Sequence, residues 1–184
     1  MTRRRCSWAV GAAMVAYHDT EWGRPQHDDN KLYEFLILEG AQAGLSWRTI
    51  LEKREGYREA FAGFDPQIVS KYNEYKIQSI LQSTHIIRNR LKVKSAVNNA
   101  VKFCDIQDKY GTFDKYIWDI TGPPIKNLFK NTDEIPQYTY TSQLMSKRLK
   151  QDGFTFVGPT ICYAFMQAVG MVNDHTVDCF LHAM

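Results

Sequence analysis

The sequence predicts an all-α, single-domain protein. Apolar residues recur at helical spacing along most of the chain, candidate N-caps precede these stretches, and no stretch alternates apolar and polar residues like a half-buried strand. The 184 residues, 44% hydrophobic and 23% charged, are enough to bury a core and suit one globular domain. No apolar run approaches the roughly 18 residues that span a membrane.

The first strongly patterned helix is predicted in DDNKLYEFLILEG. Asp29 or Asn30 is expected as its N-cap, because short polar side chains accept hydrogen bonds from the free amides of a first helical turn. Leu32, Phe35 and Leu36 then form the apolar face.

Helical segments continue along the chain after this one. Ser46 is expected to cap the next helix, Asp65 followed by Pro66 to begin another, Gly153 to end a later one, and residues 121–140 to form a looser connection. The segments are SWRTILEKREGYREAF, FDPQIVSKYN, EYKIQSILQST, KVKSAVNNAVKFCDI, TSQLMSKRLKQDG and GPTICYAFMQAVG.

The first 19 residues have some features of a signal peptide, with three arginines before a mostly apolar stretch. That stretch is short, lacks leucine and contains Cys, Trp and Gly, which favours its retention in the mature protein. The cysteines would then lie in a reducing compartment, as core thiols or metal ligands. They are Cys6, Cys104, Cys162 and Cys179, of which the middle two lie in apolar helical stretches typical of a buried free thiol.

Two His/Cys pairs lie near the two ends of the chain. His175 and Cys179 are four residues apart, which on a helix would place an imidazole and a thiol on one face. Cys6 and His18 mirror them near the N-terminus. The four together would make a tetrahedral Cys2His2 zinc site that ties the chain ends together. The alternative is a core histidine with unrelated thiols, because neither pair has a common zinc-finger spacing.

Glu39 falls on the apolar face of its helix, three residues after Leu36. A carboxylate there is either buried with a function or at a frayed helix end facing water. Leu45 then stands among small residues, as an apolar tip that could wedge into a partner or anchor the next helix. The small residues before it are Gly40, Ala41, Ala43 and Gly44.

Aromatic residues crowd the N-terminal segment and the stretch after Glu39. They are Trp8, Tyr17, Trp22 and Trp47. An aromatic box around a carboxylate suits a flat, electron-poor or cationic ligand. The same residues would equally suit a hydrophobic core.

The turn HIIRNRLKVK concentrates positive charge between two predicted helices. Cations and backbone amides at such a turn could bind phosphates, although a solvated charged turn is the more usual explanation. The net charge of +3 permits a nucleic-acid partner without requiring one.

Several motifs occur together in a characteristic order: AYHDTEWG, LEGAQAGLSW, FDP, IIRNR and GFTFVGPTICYAFMQAVGMVNDH, with the terminal His/Cys pair. From Cys6 to Cys179 the chain closely resembles the family of 3-methyladenine DNA glycosylase I, the constitutive bacterial alkylation-repair enzymes. The resemblance implies an all-α, helix-hairpin-helix glycosylase fold. It implies one domain over residues 1–184, in which about 1–30 and 150–184 form a zinc-containing lobe and about 31–149 a DNA-binding lobe.

The resemblance also assigns roles to individual residues. Cys6, His18, His175 and Cys179 match the family's ligands for one structural Zn²⁺ per chain; with four protein ligands such a site cannot activate water. Glu39 matches the base-recognising carboxylate, Trp47 the aromatic that stacks on the flipped base, and Tyr17 and Trp22 other pocket aromatics. Met14 departs from the family pattern, which has a pocket tyrosine here.

DNA contacts follow from the same resemblance. Leu45, with Gly44 beside it, resembles the wedge that fills the gap left by a flipped nucleotide. The hairpin is expected to grip the phosphate backbone without reading sequence, although it lacks the two glycines of the commoner superfamily pattern. Its residues are Arg88, Asn89, Arg90 and Lys92.

The function implied is base-excision repair. A cytoplasmic, monomeric bacterial enzyme would bind double-stranded alkylated DNA, hydrolyse the N-glycosidic bond of 3-methyladenine and leave an abasic site, with no membrane partner. The sequence lacks the catalytic Asp of other enzymes in the superfamily. The alternatives are a broader glycosylase that also releases 7-methylguanine, and a damaged-DNA binding protein without catalysis.

Overall fold

A computed structural model describes residues 3–183 of the chain. In this range the protein is mostly helical, which confirms the predicted all-α class. The helices are α1 Ala12–Thr20, α2 Asp29–Gln42, α3 Trp47–Glu52, α4 Arg54–Ala60, α5 Pro66–Val69, α6 Glu74–Gln82, α7 Arg90–Tyr110, α8 Phe113–Thr121, α9 Tyr140–Gln151 and α10 Pro159–Ala168. Within residues 3–183 no helix has both the length and the apolarity needed to cross a membrane.

Helix α2 lies at the centre of the fold, in contact with α3, α7, α8 and α10. Every residue from Leu32 to Ala41 is buried, because neighbours cover the helix on all sides. Glu39, the acidic residue near the C-terminal end of α2, therefore lies in the protein interior.

Several predicted helix starts are confirmed. Ser46 caps α3 by accepting a hydrogen bond from the Thr49 amide, and Asp65 caps α5, which begins with Pro66. Gly153 follows α9 with a φ of 88°, a conformation that glycine adopts without steric cost.

The predicted N-cap of α2 was wrong by one residue. Asp28, not Asp29 or Asn30, accepts the hydrogen bond from the Lys31 amide. The Asp29 carboxylate instead accepts hydrogen bonds from the Phe113 and Asp114 amides at 2.9 and 2.8 Å, at the start of α8.

Other elements differ from the sequence-based expectation. The predicted second helix is divided at Lys53 into α3 and α4, and α1 and α8 were not predicted. The loose segment contains strand β1, Ile125–Lys126, which pairs in parallel with β2, Val172–Asn173. Strands of two residues are too short to show the alternation by which strands are recognised.

The two ends of the chain meet. The Phe180 amide donates to the Arg4 carbonyl at 2.9 Å, and Arg4 forms an ion pair with Asp178 at 2.7 Å. This pairing places the N-terminal segment against the residues that follow β2.

Candidate active site and metal centre

A cavity of about 370 Å³ opens where α1, α2, α3 and α10 meet, a volume within the usual range of ligand sites. Its walls contain four aromatic side chains and one acidic side chain. The lining residues are Trp8, Met14, Tyr17, Trp22, Glu39, Gln42, Trp47, Thr132, Ile135, Ala164 and Gln167. The structure thus brings together the four predicted base-binding residues, and Met14 beside them.

Glu39 is buried, with 3% of its surface exposed, so the frayed-end alternative is excluded. Its Oε2 atom has no hydrogen-bond partner among residues 3–183. Burial raises the pKa of the Glu39 carboxyl to about 8, because the charged form is deprived of water. A cation entering the cavity would supply the missing countercharge.

Trp47 is the first residue of α3 and reaches the cavity because Ser46 fixes the start of that helix. Its indole Nε1 is the second buried polar atom left without a partner in the described part of the chain. Its ring contacts Tyr17, with centroids 5.3 Å apart. Buried polar atoms are almost always paired, so two unpaired atoms lining one cavity mark it as a candidate ligand site.

The remaining aromatic walls support one another. The rings of Trp8 and Trp22 are 4.9 Å apart at 77°, an edge-to-face arrangement. Burial, and next the charge of Glu39, raise the pKa of Tyr17 well above its ordinary value, so its hydroxyl keeps its proton. Trp8 was noticed in the sequence as one of the crowded aromatics but received no site role.

Other residues that line the cavity were not predicted from the sequence. Thr132 and Ile135 come from the loose segment, which has no periodicity to interpret. Gln167 comes from α10, and its Nε2 donates to Asp174 Oδ2 at 2.8 Å. Since a carboxylate only accepts, the amide oxygen of Gln167 is the group left to accept a hydrogen bond from a ligand.

A second constellation lies beside the cavity. Cys6, His18, His175 and Cys179 are all buried, and their ligand atoms lie within 4.8 Å of one another. Cys179 Sγ is 3.4 Å from His18 Nε2 and 3.5 Å from His175 Nδ1, and Cys6 Sγ is 3.6 Å from His175 Nδ1. Tetrahedral zinc, with bonds of about 2.3 Å to sulfur and 2.0–2.1 Å to nitrogen, separates such atoms by about 3.5 Å. The donor set therefore fits a metal ion of this kind.

The surroundings of the cluster orient both imidazoles. His18 Nδ1 is 2.8 Å from Asp19 Oδ1, and His175 Nε2 is 3.2 Å from the Trp22 carbonyl, which leaves the opposite ring nitrogens facing the thiols. Burial lowers the pKa of His175 to about 4, so its ring is neutral. Burial raises the pKa of the Cys6 thiol to about 11, so its thiolate needs a compensating cation.

His175 and Cys179 lie side by side without a helix between them. Residues 174–176 are irregular and residues 177–183 form turns, and the Cys179 amide donates to the Thr176 carbonyl at 2.8 Å. The two ligands approach each other because the chain turns there.

Comparison with known proteins places the chain among relatives. The family model described as methyladenine glycosylase matches residues 8–182. The chain belongs to the methyladenine glycosylase family.

Individual members of the family resemble it over nearly the whole chain. A DNA-3-methyladenine glycosylase of Haemophilus influenzae is 43% identical over 177 residues, which are 95% of this chain and 96% of the relative. A crystal structure of 3-methyladenine DNA glycosylase I superposes with a TM-score of 0.95 at 44% identity, covering 97% of this chain and 100% of the other. A variant of such an enzyme, crystallised in complex with 3-methyladenine, gives 0.92 at 34% identity and 96% coverage of both chains.

In this methyladenine glycosylase, the segment after α2 is a short exposed loop. Gly44 has a φ of 78°, and the Leu45 amide donates to the Gln42 carbonyl at 2.6 Å. Leu45 is 39% exposed, an apolar side chain held at the tip of a tight turn beside the cavity residues Gln42 and Trp47.

The hairpin connects α6 to α7, as the sequence indicated. Its four predicted DNA-contacting side chains differ in whether they already have partners within the protein. Asn89 caps α7 by accepting from the Lys92 amide, and Arg90 pairs with Glu74. Lys92 donates to the carbonyls of Ala41 and Ala43, and its expected phosphate contact stays a prediction. Arg88 is exposed and makes no ion pair within residues 3–183, so of the three hairpin cations Arg88, Arg90 and Lys92 it has the side chain most available to a partner.

Proposed function

We propose that this methyladenine glycosylase excises 3-methyladenine from alkylated double-stranded DNA by hydrolysing the N-glycosidic bond, which leaves an abasic site. The observation that carries the proposal is the aromatic cavity in which Glu39 Oε2 and Trp47 Nε1 are both buried without a partner. The names of the relatives agree with this activity.

The cavity suits a base that carries a positive charge. Adenine methylated at N3 is cationic within DNA, and aromatic faces attract a cation through their quadrupoles. Glu39 supplies the opposite charge where water is excluded, which strengthens the attraction over that in solvent. Neutral adenine gains neither interaction and would leave the Glu39 carboxyl in its costly buried environment.

A cationic base is also a good leaving group, so its departure needs no general acid. We assign the work of this chain to extruding the nucleotide, holding the base between aromatic rings and maintaining the reactive conformation. Trp47 would stack on the base, Tyr17 and Trp22 would complete the walls, and Glu39 would bind the base and help to position water.

We further propose that the Cys6, His18, His175 and Cys179 cluster holds one structural Zn²⁺. When bound, the ion supplies a cross-link between the two ends of the chain and, with four protein ligands, has no open position for water. The division into a terminal lobe of about 1–30 and 150–184 and a DNA-binding lobe of about 31–149 belongs to the same proposal.

On the DNA side, Leu45 with Gly44 would fill the space left by the extruded nucleotide, and Arg88 would contact phosphate. Asn89 and Arg90 would contribute mainly by shaping the hairpin, since their side chains already have partners. A monomer is sufficient for this arrangement, because one chain carries all of these groups.

The test is base release from DNA treated with a methylating agent, with the freed bases separated by chromatography. Wild-type protein is expected to release 3-methyladenine, and Glu39→Gln to release it at least about tenfold more slowly because a charged contact is lost. Glu59→Gln, which makes the same substitution at an exposed position on α4, is the matched control and should behave like wild type.

Each outcome separates the candidate functions. Release of 7-methylguanine as well would favour the broader glycosylase. Binding of methylated DNA without any base release would instead favour the non-catalytic damage-binding protein. Unchanged release by Glu39→Gln would remove Glu39 from its proposed role.

A further inference from the structure

Lys92 lies in the first turn of α7, directly after the hairpin, and its ammonium does not point toward solvent. Its Nζ donates to the Ala41 carbonyl at 2.7 Å and to the Ala43 carbonyl at 2.6 Å. Both carbonyls lie at the C-terminal end of α2, where the last turn of a helix has acceptors without intrahelical donors. A cation at this end also opposes the negative pole of the helix dipole.

The same residue is fixed at its backbone by the hairpin. The Lys92 amide donates to the Asn89 side chain at 3.1 Å, which caps α7. Lys92 thus joins the hairpin to the end of α2 through one backbone and two side-chain hydrogen bonds. Two of its three ammonium N–H groups are occupied inside the protein.

The segment that Lys92 holds is the one that precedes the wedge. Ala43 is the C-cap of α2, Gly44 follows with a positive φ, and Leu45 stands next at the exposed tip. Glu39, which lines the cavity, lies on the same helix, two residues before Ala41 and four before Ala43.

We infer that Lys92 is a positioning residue that clamps the wedge loop, Ala43–Ser46, to the hairpin helix, and that it does not serve as a phosphate ligand. The inference rests on the proposed excision of a flipped base. Through this clamp, seating of the hairpin on the DNA backbone sets the position of Leu45 relative to the duplex. The hairpin that contacts the phosphates and the wedge residue Leu45 then move as one rigid unit.

A clamping role for Lys92 and a phosphate contact by Lys92 predict different salt dependences of the affinity for DNA. Each phosphate neutralised by a cation adds about 0.9 to the magnitude of the slope of log affinity against log salt concentration. Lys92→Met should leave the slope for duplex DNA as in wild type. Arg88→Met, the matched control on the exposed side of the hairpin, should lower its magnitude by about 1.

The second measurement is single-turnover excision of 3-methyladenine from duplex DNA at saturating protein. Lys92→Met should slow it about ten- to a hundredfold, the scale expected when a group is misplaced by about 1 Å. Because the clamp acts through the wedge, Lys92→Met combined with Leu45→Ala should be little slower than Leu45→Ala alone.

Loss of a phosphate contact would give the opposite pattern. A slope for Lys92→Met lowered by about 1, or rate losses that multiply in the double variant, would overturn the inference. If Lys92→Met does not fold, Lys92→Gln removes the charge but keeps a donor for one carbonyl. The slope of log affinity against log salt concentration, measured for Lys92→Gln, then tests the inference in the same way. If wild-type protein releases no base, the proposed function fails, while the slope comparison still tests the phosphate role of Lys92.

Discussion

The Trp8 indole lies edge-on against the His18 imidazole, with ring centroids 5.2 Å apart. Trp8 lines the cavity, and His18 belongs to the Cys/His cluster. Trp22 stands in the same relation to His175, at 4.7 Å and 86°. Two walls of the cavity therefore rest on the two imidazoles of the cluster.

Removal of the metal is expected to destabilise the protein before it alters base binding. Cys179→Ser should reduce bound zinc from about one ion per chain and lower the melting temperature by at least about 10 °C. In a domain of this size each ~1 kcal/mol moves the midpoint by about 2–4 °C, and a structural zinc site contributes several times that. Elemental analysis and thermal unfolding measure both. Cys104→Ser, outside the cluster, is the control; well under one metal per wild-type chain would contradict the zinc proposal.

Excision should depend on pH through Glu39. Since burial raises the pKa of this carboxyl to about 8, the ionised form that attracts a cationic base is the minor form at neutral pH. The kcat/KM for 3-methyladenine is therefore expected to rise with pH up to about 8, by about tenfold per unit at its acidic end. A profile measured from pH 6 to 9 tests this, and Glu39→Gln should flatten it. A rise that persists in Glu39→Gln would assign the titration to another group.

The folding stability of the ligand-free protein should also depend on the Glu39 carboxyl, but in the opposite direction: it should fall as pH rises. The folded chain keeps the Glu39 proton up to about pH 8, whereas the unfolded chain releases it near the ordinary value of 4.5. Stability from this group is thus fully present below about pH 4.5 and declines as pH rises toward 8. Glu39→Gln should gain in relative stability across that interval, as measured by urea unfolding at several pH values. A constant difference between the two proteins would contradict the raised pKa.

Trp47→Phe separates stacking from hydrogen bonding, because it keeps an aromatic ring and removes the orphan Nε1–H. The variant should remain folded, since no hydrogen bond within residues 3–183 is lost and an aromatic ring still packs against Tyr17. Its affinity for 3-methyladenine should fall about tenfold, and that of Trp47→Ala further, because base stacking contributes ~1–3 kcal/mol. Calorimetric titration with the free base provides the measurement. Equal affinities of Trp47→Phe and wild type would leave the indole N–H without a role in binding.

Met14→Tyr is expected to narrow the range of released bases. Met14 lines the cavity at a position where the resemblance to the family led us to expect a tyrosine, and its flexible thioether adapts to ligands of different shape. The ratio of 3-methyladenine to 7-methylguanine released from methylated DNA should increase severalfold in the variant. Ala13→Tyr adds the same side chain at an exposed position of α1 and should leave the ratio unchanged. An unchanged ratio in Met14→Tyr would show that this wall does not control selectivity.

Helix boundaries were predictable where the capping interaction is local. Ser46 caps its own helix three residues before its partner amide, and Asp65 does so two and three residues before its partners. Asp29 does not cap α2, because its carboxylate accepts hydrogen bonds from amides 84 and 85 residues away in the sequence. A pattern within one helix contains no information about that competition.

The Cys/His cluster was predictable in composition but not in local structure. Two Cys/His pairs at opposite ends were visible in the sequence, and the resemblance to the family joined them into one set. The four-residue spacing of His175 and Cys179 would suit one face of a helix, but in the structure a turn brings them together, and Cys6 Sγ and His18 Nε2 from the other end of the chain complete the cluster.

The sequence by itself determined the helical class, the candidate ligands and the identity of Glu39 and its aromatic neighbours, because periodicity, capping and motif order are local properties. Only the tertiary structure decided that Glu39 is fully enclosed, that Thr132 and Gln167 join the cavity and that Lys92 bonds α2 instead of facing solvent. These outcomes depend on contacts between residues far apart in the chain. Such contacts determine which groups are buried and which hydrogen-bond partners each group finds.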